Sequence, residues 1–86
     1  MVALGHQALA STTVDNGVAV GYQALYSSTS TQLTAVGTQA LYSNTTGAAN
    51  TAVGYLALYG NTIGIRNTGI GNQALQNNTT GNYNTA

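Results

Sequence analysis

An all-β parallel solenoid is the fold this sequence predicts, and three observations carry that reading. A unit of 16 to 17 residues recurs along the whole chain. A glycine stands at the same place in every copy. Each copy also opens on a short run in which β-branched or apolar residues flank a small one, and no copy shows apolar spacing of helical period.

The copies set the organisation. The residue opening each one falls at 3, 19, 35, 52 and 69, with a sixth at 86, so the steps are 16, 16, 17, 17 and 17. This divides a single repeat array into coils 3–18, 19–34, 35–51, 52–68 and 69–85. The chain enters directly on the repeat at Val2-Ala3-Leu4 and ends inside the opening of another copy, whereas natural arrays finish in atypical capping units. A segment of a longer protein is the expectation.

Within a coil the elements follow in a fixed order. Thr51-Ala52-Val53 alternates its side chains as a strand does. Gly54 then breaks the run, and Gly5, Gly21, Gly37 and Gly71 stand at the equivalent places, which makes them corners needing positive φ or close backbone approach. Leu56-Ala57-Leu58-Tyr59, or Gln23-Ala24-Leu25-Tyr26 in an earlier copy, reads as a second short strand. A polar connection such as Ser43-Asn44-Thr45-Thr46-Gly47 closes the coil, because these residues favour turns. Stacked at about 4.8 Å, five such coils make a rod ~24 Å long.

Comparison between copies predicts which face points inward. Leu4, Val20, Val36, Val53 and Ile70 share a face with the preceding β-branched position, and Leu9, Leu25, Leu41, Leu58 and Leu75 come from the second strand. These ten form the expected core ladder. The opposite strand face carries Ala3, Ala19, Ala35, Ala52 and Gly69 and nothing larger, so something packs closely against it. A two-layer coil this thin has little core, and chains of that kind are rescued by disulfides, metal or oligomerisation. With no cysteine, the Ala/Gly row is expected to be the seam of an oligomer.

Composition narrows the partners. Charged residues are 2% of the chain, with Arg66 and Asp15 the formal charges and His6 the one imidazole. Disordered chains usually carry high net charge and lack β-branched and aromatic residues; this one is neutral, and Val, Ile, Thr and Tyr recur on a fixed beat. A chain with no basic patch cannot neutralise phosphates, so nucleic acid is not an expected partner. No apolar run approaches the ~18 to 20 residues of a spanning helix, so membrane insertion is not expected either.

The residues resemble a known group. Asn50-Thr51-Ala52-Val53-Gly54-Tyr55 and Val18-Ala19-Val20-Gly21-Tyr22 are similar to head repeats of trimeric autotransporter adhesins. The full unit with its Gln-Ala-Leu-Tyr-Ser-Asn-Thr-Thr-Gly continuation resembles repeats of bacteriophage tail fibres and related trimeric surface fibres. The resemblance implies a left-handed parallel β-roll, three chains in parallel around one axis with small residues packed inward, and an extracellular place on a cell surface or virion tail. Under it, Val20, Val36, Val53 and Ile70 match the roll-filling aliphatics, and Ala19, Ala35 and Ala52 the small row. The coils here are longer than the usual adhesin head repeat, and Gly69 stands where the row has Ala.

Chemistry at single residues is sparse. Catalysis needs paired acids and bases or an activated nucleophile, and one Asp, one Arg and one His in different copies provide neither, so no enzyme and no cofactor are expected. A metal site lacks its ligand cluster. Gly69-Ile70-Gly71 invites a phosphate-loop reading but has no helix N-terminus after it. Asn44-Thr45-Thr46 and Asn78-Thr79-Thr80 fit the glycosylation pattern as a by-product of the repeat. Tyr26, Tyr42 and Tyr59 hold one place in successive coils and form either a plain stacked ladder or a platform for a sugar ring.

Three functions compete. The first is a shaft or head segment of a homotrimeric fibre that supports adhesion to a host or prey cell, with a cell-surface glycan or protein receptor engaged by a region outside these residues. The second is a binding surface along the solenoid, for ice or carbohydrate; its weakness is that Thr45-Thr46 and Thr79-Thr80 cluster in turns and make no outward Thr-x-Thr row. The third is a functional amyloid subunit, since uncapped coils with a Gln7, Gln23, Gln39 row can stack end to end.

Overall fold

The structure is a computed structural model, and it describes residues 2–8, 17–28 and 30–86. Strands β1 (Val2–Leu4), β2 (Val18–Val20), β3 (Thr34–Val36), β4 (Thr51–Val53) and β5 (Thr68–Ile70) are the strands among the described residues. They form one parallel sheet in the order β1-β2-β3-β4-β5. Each strand lies on the equivalent residues of the next: Ala35 pairs with Ala19 and Ala52, and Val53 with Val36 and Ile70. Thr68 bridges Thr85, where the next copy begins. The chain is therefore a parallel β-solenoid, and the repeat steps of 16 and 17 are its coils.

The corner glycines lie where the repeat puts them. Gly5, Gly21, Gly37, Gly54 and Gly71 have φ between 117° and 135°, a range L side chains rarely adopt. Each corner also sits directly on the next. A Cβ on Gly54 would lie 2.7 Å from the carbonyl carbon of Gly71, so both conformation and space exclude a side chain. The corner amide tightens the stack, as Gly54 N–H donates to Val36 O at 2.7 Å and Gly71 N–H to Val53 O at 2.7 Å.

The expected second strand is not a strand. The segments 22–26, 38–42 and 55–59 are successive turns, and two residues in each take left-handed backbone: Gln23 and Leu25 at φ 55° and 52°, Gln39 and Leu41 at 57° and 53°, Leu56 and Leu58 at 58° and 52°. An alternating pair of this kind bends the chain around the narrow interior, where an extended run would carry it away. Non-glycine residues pay about 1 to 2 kcal/mol for this conformation, which Gln and Leu give no sequence sign of adopting. Inter-coil bonds hold it: Gln39 N–H donates to Tyr22 O at 2.8 Å in the preceding coil, and Leu41 N–H to Ala57 O at 3.0 Å in the following one.

The interior leucines are where they were expected. Leu25, Leu41 and Leu58 are fully buried and Leu75 is half-buried, whereas Leu9 lies outside the described residues. The strand faces, however, are reversed. Ala19, Ala35 and Ala52 are 0% exposed, and Gly69 is buried with them, inside their own coil. Val20, Val36 and Val53 point outward and are half-buried; Leu4 and Ile70, on the outermost strands, are 60% and 59% exposed. Ala3 belongs to the same small row but is exposed on β1.

Gly69 shows why the row is small. A Cβ there would meet the carbonyl oxygen of Ala74 at 3.1 Å and the Leu58 side chain at 3.4 Å. What packs closely against the row is the opposite wall of the same chain. The Ala/Gly row is thus part of the core and cannot be a seam between chains. The aliphatic row is the outer face of the sheet and not the filling of the roll.

An expected outcome follows for Ala35→Leu. Three extra heavy atoms at the fully buried Ala35 overpack the coil, a destabilisation of ~1 to 3 kcal/mol. Thermal unfolding followed by circular dichroism should show a lower Tm than the parent at every protein concentration. Thr46→Ala, at an exposed turn position, should leave Tm unchanged.

Candidate functional site

The described residues enclose no pocket, and among them no three His, Asp or Glu side chains gather. Candidate features are instead columns, because each side chain lies over its equivalent in the next coil. Gly69 and Ile70 belong to β5 and Gly71 is the corner after it, so the Gly-x-Gly run is stacked sheet and turn.

Two columns fill part of the interior with amides. Asn44, Asn61 and Asn78 make one, continued at Ser28; Asn50, Asn67 and Asn84 make the other, continued at Leu33. Asn44, Asn50, Asn61 and Asn67 are all fully buried. In the first column Asn61 Nδ2 donates to Asn44 Oδ1 at 2.8 Å and to Gly64 O at 3.1 Å, while its Oδ1 accepts from Asn78 Nδ2 at 2.9 Å. In the second, Asn67 N–H donates to Asn50 Oδ1 at 2.9 Å and its Nδ2 to Gly81 O at 2.7 Å.

The glycine between each pair is needed for space. A Cβ on Gly64 would stand 2.8 Å from Asn67 Nδ2. Asn-x-x-Gly-x-x-Asn is therefore one packed unit, at 44–50, 61–67 and 78–84. Asn44 spends its Nδ2 on Ser28 Oγ at 3.0 Å and Gly47 O at 2.9 Å, so the sequon there presents no accessible amide for a glycan. Asparagines read from the sequence as turn residues are the polar half of the core. Their fixed spacing of six around a glycine was the signal that could have shown it.

Outside, glutamines and aromatics repeat the theme. Gln23 Nε2 donates to Gln7 Oε1 at 2.8 Å and Gln39 Nε2 to Gln23 Oε1 at 2.9 Å, and the run stops where Leu56 takes the place. Tyr26, Tyr42 and Tyr59 form a stacked ladder, with ring centroids 5.0 Å and 5.2 Å apart and planes within 3° and 8°. The faces they turn to one another are covered, and both faces of Tyr42 are taken up in the stack. His6 is exposed and stacks on Tyr22 at 5.6 Å, and the Arg66 guanidinium lies 5.4 Å from the centre of the Tyr83 ring while Nη1 donates to its hydroxyl at 2.8 Å. Asp15 lies outside the described residues.

The outer face of the sheet is the most extended surface feature. It carries Val2 and Leu4, Val18 and Val20, Thr34 and Val36, Thr51 and Val53, then Thr68 and Ile70. Both positions of each strand point the same way, so two files of β-branched or aliphatic side chains run along the solenoid. Among the described residues no other strand packs on them. One file is threonine over three successive strands, Thr34, Thr51 and Thr68, an outward row at positions whose comparison between copies had pointed inward. Comparison with protein-family models, with curated proteins and with solved structures returned no match.

The amide columns make a direct test. Asn61→Ala removes one partner each from Asn44 Oδ1, Gly64 O and Asn78 Nδ2; Asn50 Nδ2 still serves the first two and Gly81 O the third, so the loss is that of the hydrogen bonds themselves, ~1 kcal/mol for each. Asn61→Asp keeps the shape but puts an oxygen where the donor faced two acceptors. Burial and those acceptors favour the protonated carboxyl, raising its folded pKa above the unfolded value. Its stability should then be fully present below the unfolded pKa and be lost as pH rises through the folded one. Urea unfolding of parent and variant across the acid to neutral range checks both statements.

Proposed function

We propose that this chain is a structural segment, shaft or head, of a homotrimeric surface or tail fibre that supports adhesion to a host or prey cell. The observation that carries the reading is the outer sheet face, an unpartnered β-branched stripe along every described strand. In a parallel threefold arrangement each coil meets its own symmetry mates, so a stripe that repeats coil by coil is complementary to itself. Val20, Val36 and Val53 with Val18, Thr34 and Thr51 would then form the seam, in place of the alanine row. Ligand contact belongs to other parts of such a fibre, and the segment itself needs no catalytic group, cofactor or metal.

The same face supports a second reading. A flat array with Thr34, Thr51 and Thr68 in one file and Val36, Val53 and Ile70 in the other presents regularly spaced hydroxyls and methyls. Such a surface orders water and suits a solenoid that binds ice.

Light scattering coupled to size exclusion separates them. The fibre reading expects the mass of three chains, and Val36→Asp should give single chains with the parent's circular dichroism spectrum, because a charge is placed in an apolar seam. A parent that runs as one chain and shows thermal hysteresis, abolished by Thr51→Asp, would establish the second reading and remove the first.

A further inference from the structure

The chain has six tyrosines, and they are not equivalent. Tyr22 stacks on His6, and Tyr83 is held by Arg66. Tyr55 lies between Thr38 and Asn72 in its column. Tyr42 alone among them has a tyrosine ring on each face, Tyr26 at 5.0 Å and Tyr59 at 5.2 Å, parallel within 3° and 8°. All three rings are half-buried, so solvent and small oxidants reach their edges while the stack fixes their planes.

We propose that the Tyr26–Tyr42–Tyr59 column is a site of oxidative modification, at which a one-electron oxidant joins neighbouring rings as dityrosine. A peroxidase with hydrogen peroxide is an oxidant of the required class. Each of two adjacent phenols gives up one electron and its O–H proton, leaving neutral radicals with spin on the ortho carbons. A C–C bond forms between an ortho carbon of each ring. The two hydrogens on those carbons then leave as protons while the oxygens regain theirs, restoring both phenols. The net loss is two electrons and two protons per link, which reduce one hydrogen peroxide to two waters.

Position favours this pairing over any other. Stacking holds the neighbouring rings 5.0 Å and 5.2 Å apart, so a radical on Tyr42 has a phenol on either side and needs a tilt of the two rings, not diffusion, to bring ortho carbons together. The product joins consecutive coils of one chain, closing a loop of 16 or 17 residues in a protein that has no cysteine to do so. A cross-link that closes a loop restricts the unfolded chain and so raises stability. This inference does not depend on the fibre reading, since the column is complete within one chain.

The experiment treats the folded protein with peroxidase and hydrogen peroxide, followed by intact mass under denaturing conditions, dityrosine fluorescence and peptide mapping after pepsin digestion. Expected are single chains lighter by the mass of two hydrogens per link, peptides joining Tyr42 to Tyr26 or Tyr59, and a Tm above that of the untreated protein. Tyr42→Phe should reduce intrachain dityrosine to background, as should Tyr26→Phe combined with Tyr59→Phe, the second variant guarding against a fold effect at position 42. Tyr55→Phe should leave the yield unchanged. Dityrosine that survives Tyr42→Phe, links that join different chains, or no links in the folded protein would each overturn the proposal.

Discussion

Stacking of like on like governs this molecule. Every coil is hydrogen-bonded to the next in register, so each side chain meets a neighbour from the equivalent position at about the strand spacing of 4.8 Å. A residue is tolerated only if it makes a favourable contact with whatever holds its place one coil away. Asparagine and glutamine carry both donor and acceptor and bond to their own kind; tyrosines stack; β-branched chains pack file on file. Lysine over lysine or glutamate over glutamate would repel in every coil. That is a physical reason for a charge content of 2%, and Arg66 sits in a column where its neighbour is the neutral ring and hydroxyl of Tyr83.

Coil closure is the second constraint, and it accounts for the two coil lengths. Where Asn44 and Asn50 stand six apart around Gly47, coil 2 has Ser28 and Leu33 only five apart, without the glycine. The additional residue of the longer coils therefore falls within the segment that carries the amide pair. Ser28 still accepts from Asn44 Nδ2, and buried Leu33 replaces an amide with an apolar side chain, so the polar interior gives way to a mixed one where the coil shortens. Left-handed backbone at Gln32, Ala49, Arg66 and Tyr83 makes the remaining bend before β3, β4, β5 and the bridge at Thr85, one residue per coil at the same place. Recurrence of that strained conformation in successive coils, with Arg66 N–H donating to Ala48 O at 3.0 Å, marks it as part of the coil's path.

Narrowness decides what the outside offers. Because the walls approach until only Ala or Gly fits beneath Leu58, the larger β-branched residues of each strand are displaced to the outer surface. A coil with so little interior has two ways to gain stability, through its buried amides and through covering its outer stripe. The first is complete within the chain. The second needs either another chain or an ordered solvent layer, and both functional readings come from that single surface.

The repeat alone determined a great deal: the parallel solenoid, the 16- and 17-residue coils, the corner glycines and the tyrosine ladder. These depend only on a residue type recurring at a fixed beat, which any stacked coil translates into a column. Three things were decided only by tertiary structure. Alternation along Thr51-Ala52-Val53 shows that Ala faces away from Thr and Val but not which side is inward; the distance to the opposite wall chooses, and it admits only the small residue. Gln and Leu carry no local preference for left-handed backbone, so the turns at 22–26, 38–42 and 55–59 arise from inter-coil hydrogen bonds that no single copy contains. The burial of Asn44, Asn50, Asn61 and Asn67 was hidden for a related reason, since an amide is costly inside a protein until its partners, supplied by the coils above and below, are in place.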